Sequence, residues 1–156
     1  MLKSAEFSLC QTYRYALRRV WQPELPQVLF IGLNPSTADE QNDDNTVRRC
    51  LGYARSWGYG GLVVANLFAY CAIHPAVLCT AKHPVGPHND QWLSELAAEA
   101  SLIVAAWGNH GLFRQRWKTV AAFLDESYCL GVTKRGQPLH PLYARKSLIP
   151  LRWQPA

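Results

Sequence analysis

The chain has 156 residues, 49% of them hydrophobic and 17% charged, with a formal net charge of +5. That balance excludes a disordered chain, and the length suits one domain, 1–156, and no more. No apolar run approaches the roughly 18–20 residues of a membrane helix. The segment from Met1 to Trp21 lacks the unbroken apolar stretch and small-residue cleavage site of a secretory signal. A cytoplasmic protein with no membrane partner is expected. Cys10, Cys50, Cys71, Cys79 and Cys129 are an odd, scattered set with no Cys-x-x-Cys, so reduced thiols are expected rather than a disulfide framework. From Ser127 to Ala156 there is no acidic residue, whereas Lys134, Arg135, Arg145, Lys146 and Arg152 are basic. Such a segment suits a polyanionic partner such as nucleic acid, or is an ordinary solvated surface; charge alone leaves the two even.

Tyr13, Tyr15, Leu17, Arg19 and Trp21 alternate, which predicts an antiparallel edge strand. Val28-Leu29-Phe30-Ile31, between Pro26 and Gly32, is a continuous apolar run and reads as a strand buried on both faces. The polar stretch Ser36 to Asn45 leads to a helix with Asn45 as N-cap and Val47, Cys50, Leu51 and Ala54 on its inner face. Gly58, Gly60 and Gly61 close it. Leu62 to Ala65 is a second buried strand, running into Asn66. Residues 71–88, with Pro75, Pro84 and Pro87, read as mainly loop. A helix from about Asn89 places Trp92, Leu93, Leu96, Ala97 and Ala100 on one face. Leu102 to Ala106 is the third strand. Phe113, Trp117, Val120, Ala121 and Leu124 fit a further helix, and Cys129 to Thr133 a fourth strand. This alternation predicts parallel strands joined by crossover helices.

In open parallel sheets ligands bind beyond the carboxyl ends of the strands. Four segments lie there: 32–39, 66–70, 107–111 and 136–143. Each brings a side-chain amide or an imidazole, and three bring glycine, which lets backbone approach a ligand. Asn34, before Pro35, also suits a plain turn. Asn66 follows a buried run, where an amide needs hydrogen-bond partners. Asn109 suits a helix N-cap after Gly108. His140, between Pro138 and Pro141, is the best acid or hydrogen-bond donor in the set. Cys71-x-x-His74 and Cys79-x-x-x-His83 have zinc-like spacing, but they crowd into one proline-rich loop. The acids Asp39, Glu40, Asp43 and Asp44 suit Mg²⁺, and suit better the N-terminus of the following helix. With no phosphate loop, dinucleotide fingerprint or nucleophile elbow, no metal and no cofactor is expected.

Taken in order, these segments resemble the uracil-DNA glycosylase superfamily. Gly32-Leu33-Asn34-Pro35 is similar to the motif ending that fold's first strand, in its asparagine-bearing form. Gly61 to Asn66 is similar to the strand ending in an asparagine that reads the base. Leu102 to Gly108 matches the strand ending in a Trp-Gly turn, and His140-Pro141-Leu142-Tyr143 shortens the His-Pro-Ser-Pro-Leu motif. The stretch Val28 to Tyr143 resembles more closely a bacterial family, domain of unknown function 1643, typified by a strand running into Gly32-Leu33-Asn34-Pro35-Ser36-Thr37-Ala38-Asp39. That family names no activity. The glycosylase resemblance implies a three-layer α/β/α sandwich with a four-stranded parallel central sheet. It implies a base held in the rim pocket, from DNA or a nucleotide, and an N-glycosidic bond hydrolysed. Asn34 and His140 would then be catalytic, with Asp39 a second candidate for activating water. Gly32, Pro35, Ser36, Asn66 and Asn109 would line the base site, and Phe68, Tyr70 or Trp107 would stack on the ring. Lys134, Arg135, Arg145 and Lys146 would contact phosphates. A binding module that has lost catalysis, or an enzyme on a free nucleotide or small metabolite, is the alternative.

Overall fold

The apolar runs become the centre of one mixed sheet. In the computed structural model, which describes residues 1–155, the strands are β1 (Leu2–Phe7), β2 (Arg14–Val20), β3 (Gln27–Gly32), β4 (Gly61–Asn66), β5 (Leu102–Ala105), β6 (Tyr128–Cys129) and β7 (Leu151–Arg152). The helices are α1 (Asn45–Ser56), α2 (Pro75–Thr80), α3 (Asn89–Glu99) and α4 (Arg116–Ala121). The sheet order is β1-β2-β4-β3-β5-β6-β7. The pairings β4–β3, β3–β5 and β5–β6 are parallel, while β1–β2, β2–β4 and β6–β7 are antiparallel.

The fold corrects several expectations. The sheet is mixed and has seven strands: β4, β3, β5 and β6 are parallel, and β1, β2 and β7 extend it in antiparallel fashion. The strand drawn from Tyr13 to Trp21 is not at the edge: β1 pairs along its outer side and β4 along its inner side. Its backbone is therefore paired on both sides, while Arg14 and Arg19 are buried against the loop of Ala38 to Asp43, to which both donate. The fourth strand is confined to Tyr128–Cys129. The helix drawn through Phe113 is broken, because Arg114 and Gln115 take left-handed φ of 55° and 54°, and regular α-helix begins only at Arg116.

β3 shows why both sheet faces are apolar. Leu29 and Ile31 point to one face and Val28 and Phe30 to the other, as strand alternation requires. Leu29 and Ile31 pack with Val63, with Leu93 and Leu96 of α3, and with Val120 of α4. Val28 and Phe30 pack with Leu62 and Val64, and with Val47, Cys50, Tyr53 and Ala54 of α1. Burying one leucine-sized side chain is worth about 1.5–3 kcal/mol, so the two clusters together fix the sheet between its helices. Because β4, β3, β5 and β6 run the same way, Asn66, Gly32, Ala105 and Cys129 all stop at one edge. The register sets Gly32 beside Asn66 and Ile31 beside Ala105.

Candidate functional site

At that edge, on the α1 side, lies a cavity of about 600 Å³. This falls within the 300–1,000 Å³ of small-molecule sites. Its wall includes Asn34, Asn66, Asn109 and His140, contributed by four separate segments. Gly32, Pro35, Ser36 and Trp107 also line it. The floor is apolar, with Phe30, Val47, Cys50 and Val64.

Asn34 Nδ2 donates to the carbonyl oxygens of Ala72 at 2.8 Å and Pro35 at 3.0 Å. Its donors are thereby engaged by the protein, and Oδ1 is the end left to accept. Asn66 is arranged the other way. Its Oδ1 accepts from Arg14 Nη2 at 3.4 Å, leaving Nδ2 to donate. Its backbone carbonyl is fixed by Nδ2 of the fully buried Asn89 at 2.9 Å. Gly32 makes the amide's position possible: a Cβ there would lie 2.9 Å from Asn66 Nδ2. On the far wall His140 caps a short 3₁₀ turn, Pro141–Tyr143, its Nδ1 accepting from Leu142 N at 3.2 Å. Nδ1 is thus unprotonated, and the remaining proton of the neutral ring sits on Nε2. Burial lowers the pKa of His140, the Asp44 carboxylate opposing that effect in part. The neutral donor form is therefore the resting one at pH 7.

Two further residues belong to this wall: Asp44, expected only as negative charge at the start of the helix, and Arg14, not expected at all. Asp44 lines the cavity and caps α1, its Oδ1 accepting from Val47 N at 2.8 Å. The cap falls one residue before the expected Asn45. Arg14, 3% exposed, also lines it, donating from Nη1 to Ala38 O at 3.0 Å. Burial lowers its pKa to about 10, so it stays charged at neutral pH. The signal for Asp44 was there: an aspartate three residues before the first buried helical position is a standard cap. For Arg14 there was none, because an arginine in an alternating strand reads as solvated.

Asp39, Phe68 and Tyr70 lie outside the cavity. Asp39 does not line the cavity; its Oδ1 accepts from Gln41 N and Asn42 N at 2.9 and 2.8 Å and shapes the loop. These bonds lower its pKa. The loop is anchored by Arg19, fully buried, whose Nε donates to Asp43 Oδ1 at 2.8 Å while Nη2 donates to Asp39 O. The acidic run is therefore tied to β2. Phe68 is buried in the core against Phe113, and Tyr70 packs edge-on to Tyr13. Trp107 is 1% exposed, its Nε1 donating to Gln137 Oε1 at 2.8 Å. None of the three offers a free ring face; at the cavity rim Tyr143, 83% exposed, does. Asn109 is exposed, its Oδ1 accepting from Thr133 Oγ1 at 2.7 Å, and Gly108 takes the cap position expected of it.

Lys134, Arg135, Arg145 and Lys146 are exposed outside the cavity. Lys146 faces a second groove, lined also by Arg48, Arg49 and Gly52 of α1, which meets the cavity at Asn45 and Leu142. Among the described residues, no group of three or more His, Cys, Asp or Glu is arranged to hold a metal ion, and no helix is long and apolar enough to cross a membrane.

No curated protein and no solved structure matches the chain. The family described as "Protein of unknown function (DUF1643)" matches residues 14–142. That span opens at Arg14 and closes at Leu142, both on the cavity wall. The chain belongs to the DUF1643 family.

Proposed function

We propose that the cavity takes one nucleobase, presented by a nucleotide or by a flipped-out position in a DNA strand, and that the chain hydrolyses its N-glycosidic bond. The observation that carries this reading is the convergence of Asn34, Asn66 and His140, distant along the chain, on one cavity with room for a flat ring. The resemblance to uracil-DNA glycosylases supports it, as does a sheet with parallel central strands and helices packed on both faces. A three-layer α/β/α sandwich of the glycosylase kind is the architecture proposed. A base inside a duplex is out of reach, so a duplex substrate has to be flipped.

In this reading Asn66 meets the ring edge through Nδ2, which donates to a ring oxygen while Arg14 holds Oδ1. His140 Nε2–H donates to the oxygen that gains negative charge as the bond breaks, the role of an oxyanion donor. Asn34 Oδ1 accepts from the attacking water and orients it. Tyr143 stacks on the ring from the rim. The carbon–nitrogen bond breaks heterolytically, its electron pair leaving with the ring; water oxygen adds to the sugar carbon, and the proton it releases finally neutralises the ring. The groove along Arg48 and Lys146, together with Lys134, Arg135 and Arg145, receives the phosphates.

Uracil-containing single- and double-stranded oligonucleotides test the proposal. Alkali-labile breaks at the uracil are expected, and are expected to vanish in an Asn34→Ala, His140→Ala double variant. Equal cleavage by that variant removes the site assignment. A second reading, base binding without cleavage, is favoured by one observation. Asp44 is the one acid on the cavity wall among the described residues, and its Oδ1 is already engaged in capping α1. Tight binding with no breaks is its signature.

A further inference from the structure

An arginine buried without a carboxylate is costly, because the interior does not replace the water it loses. The three buried arginines differ in this respect. Arg19 pairs with Asp43, and Arg116 with Asp90. Arg14 makes no ion pair among the described residues, and it is the one of the three that lines the cavity. Its hydrogen bonds are also incomplete. Nη1 reaches Ala38 O at 3.0 Å and Nη2 reaches Asn66 Oδ1 at only 3.4 Å, while the buried Nε has no acceptor. Asp44, on the same cavity wall, acts on it through space without touching it. The guanidinium therefore sits behind the amide that faces the ring, with unspent positive charge directed at the same space.

We propose that Arg14 complements negative charge on the bound ring, so that the cavity favours a heterocycle that is anionic, or becomes so when its bond to the sugar breaks. This rests on the base-binding reading. Arg14 holds Asn66 Oδ1 and polarises the amide, strengthening the donation from Nδ2, and it lowers the energy of the electron pair that leaves with the ring. Charge-assisted hydrogen bonds of this kind are about twice as strong as neutral ones.

The test compares two free rings of similar shape by calorimetry at pH 7.5: uracil, which is neutral, and 5-nitrouracil, whose ring N–H is ionised there. The wild-type chain should bind the anion at least about tenfold more tightly. In Arg14→Gln the ratio should fall to about one, and Arg14→Lys, which keeps the charge, should retain part of the preference. Equal affinities in the wild type overturn the proposal and leave base binding standing, as does an undiminished ratio in a folded Arg14→Gln chain. Should the Gln variant not fold, the wild-type ratio and the Lys variant decide alone. Absence of binding for both rings overturns the base-binding reading and this proposal with it.

Discussion

Asn34 and Asn66 present opposite ends of the same functional group to one cavity. The Asn34 amide nitrogen is occupied by the carbonyls of Ala72 and Pro35, leaving oxygen to accept. The Asn66 amide oxygen is occupied by Arg14, leaving nitrogen to donate. One wall can thus order a water or a ring N–H while the other holds a ring oxygen, and exchanging the two roles would require rebuilding both sets of partners.

Gly32 sets the spacing of that pair. A methyl group there would lie 2.9 Å from Asn66 Nδ2 and has to displace the amide. Gly32→Ala should fold, since the backbone at that residue is ordinary strand. It should weaken ring binding by at least about tenfold, about 1.4 kcal/mol. Calorimetry with the free ring, beside a thermal melt, separates the two effects.

The two aspartates of the loop should behave differently. Asp44→Ala removes the α1 cap and should cost about 1 kcal/mol. Asp44→Asn keeps a capping oxygen and should melt close to the wild type, yet it removes the charge that supports protonation of His140. Asp39→Ala loosens the loop that Arg19 anchors, and should lower the melting temperature while leaving ring affinity within about twofold, below the 1.4 kcal/mol of a tenfold change.

His140 gives stability a pH dependence of known sign. Burial lowers its folded-state pKa below the ordinary 6.5, so the unfolded chain binds the proton more readily. Stability then rises with pH wherever the unfolded state holds more protons. The imidazole's contribution is complete above about 6.5, declines as pH falls from there towards the folded value, and levels off below it. Denaturant melts between pH 5 and 8 should show this slope, and His140→Gln should reduce it.

Much of this framework was legible because buried strands advertise themselves. β3, β4 and β5 are continuous apolar runs, and α1 and α3 carry unambiguous inner faces. The four rim segments followed from strand direction alone. Three features stayed hidden for physical reasons. β1 is half-exposed and mixes lysine and glutamate with apolar residues, so its pairing depends on β2 rather than on its own composition. The break at Arg114 and Gln115 rests on left-handed backbone at residues that give no such signal. Arg14 is buried by tertiary coverage, and neither its partners nor its isolation from acids can be seen from neighbours in sequence. The aromatic residues beyond β4 and β5 misled because position after a strand does not say which way a ring turns: Phe68 and Trp107 turn into the core.

A strand that threads the groove beside α1 should bind with strong salt dependence. Each phosphate neutralised on single-stranded nucleic acid contributes about 0.7 to the slope of log affinity against log salt. Arg48→Ala with Lys146→Ala, and separately Lys134→Ala with Arg135→Ala, should each flatten the slope by up to about 1.4, because each double variant removes two cations. A free base should bind independently of all four.

The side-chain ¹⁵N resonances of Asn34, Asn66 and His140, followed as uracil is added, test the shared cavity most directly. Asn66 Nδ2 and His140 Nε2 should move together along one saturation curve, while Asn34 Nδ2, held by protein carbonyls, moves little. Saturation that leaves both Asn66 and His140 unmoved, or separate curves for the two, would contradict a single ring lying between them.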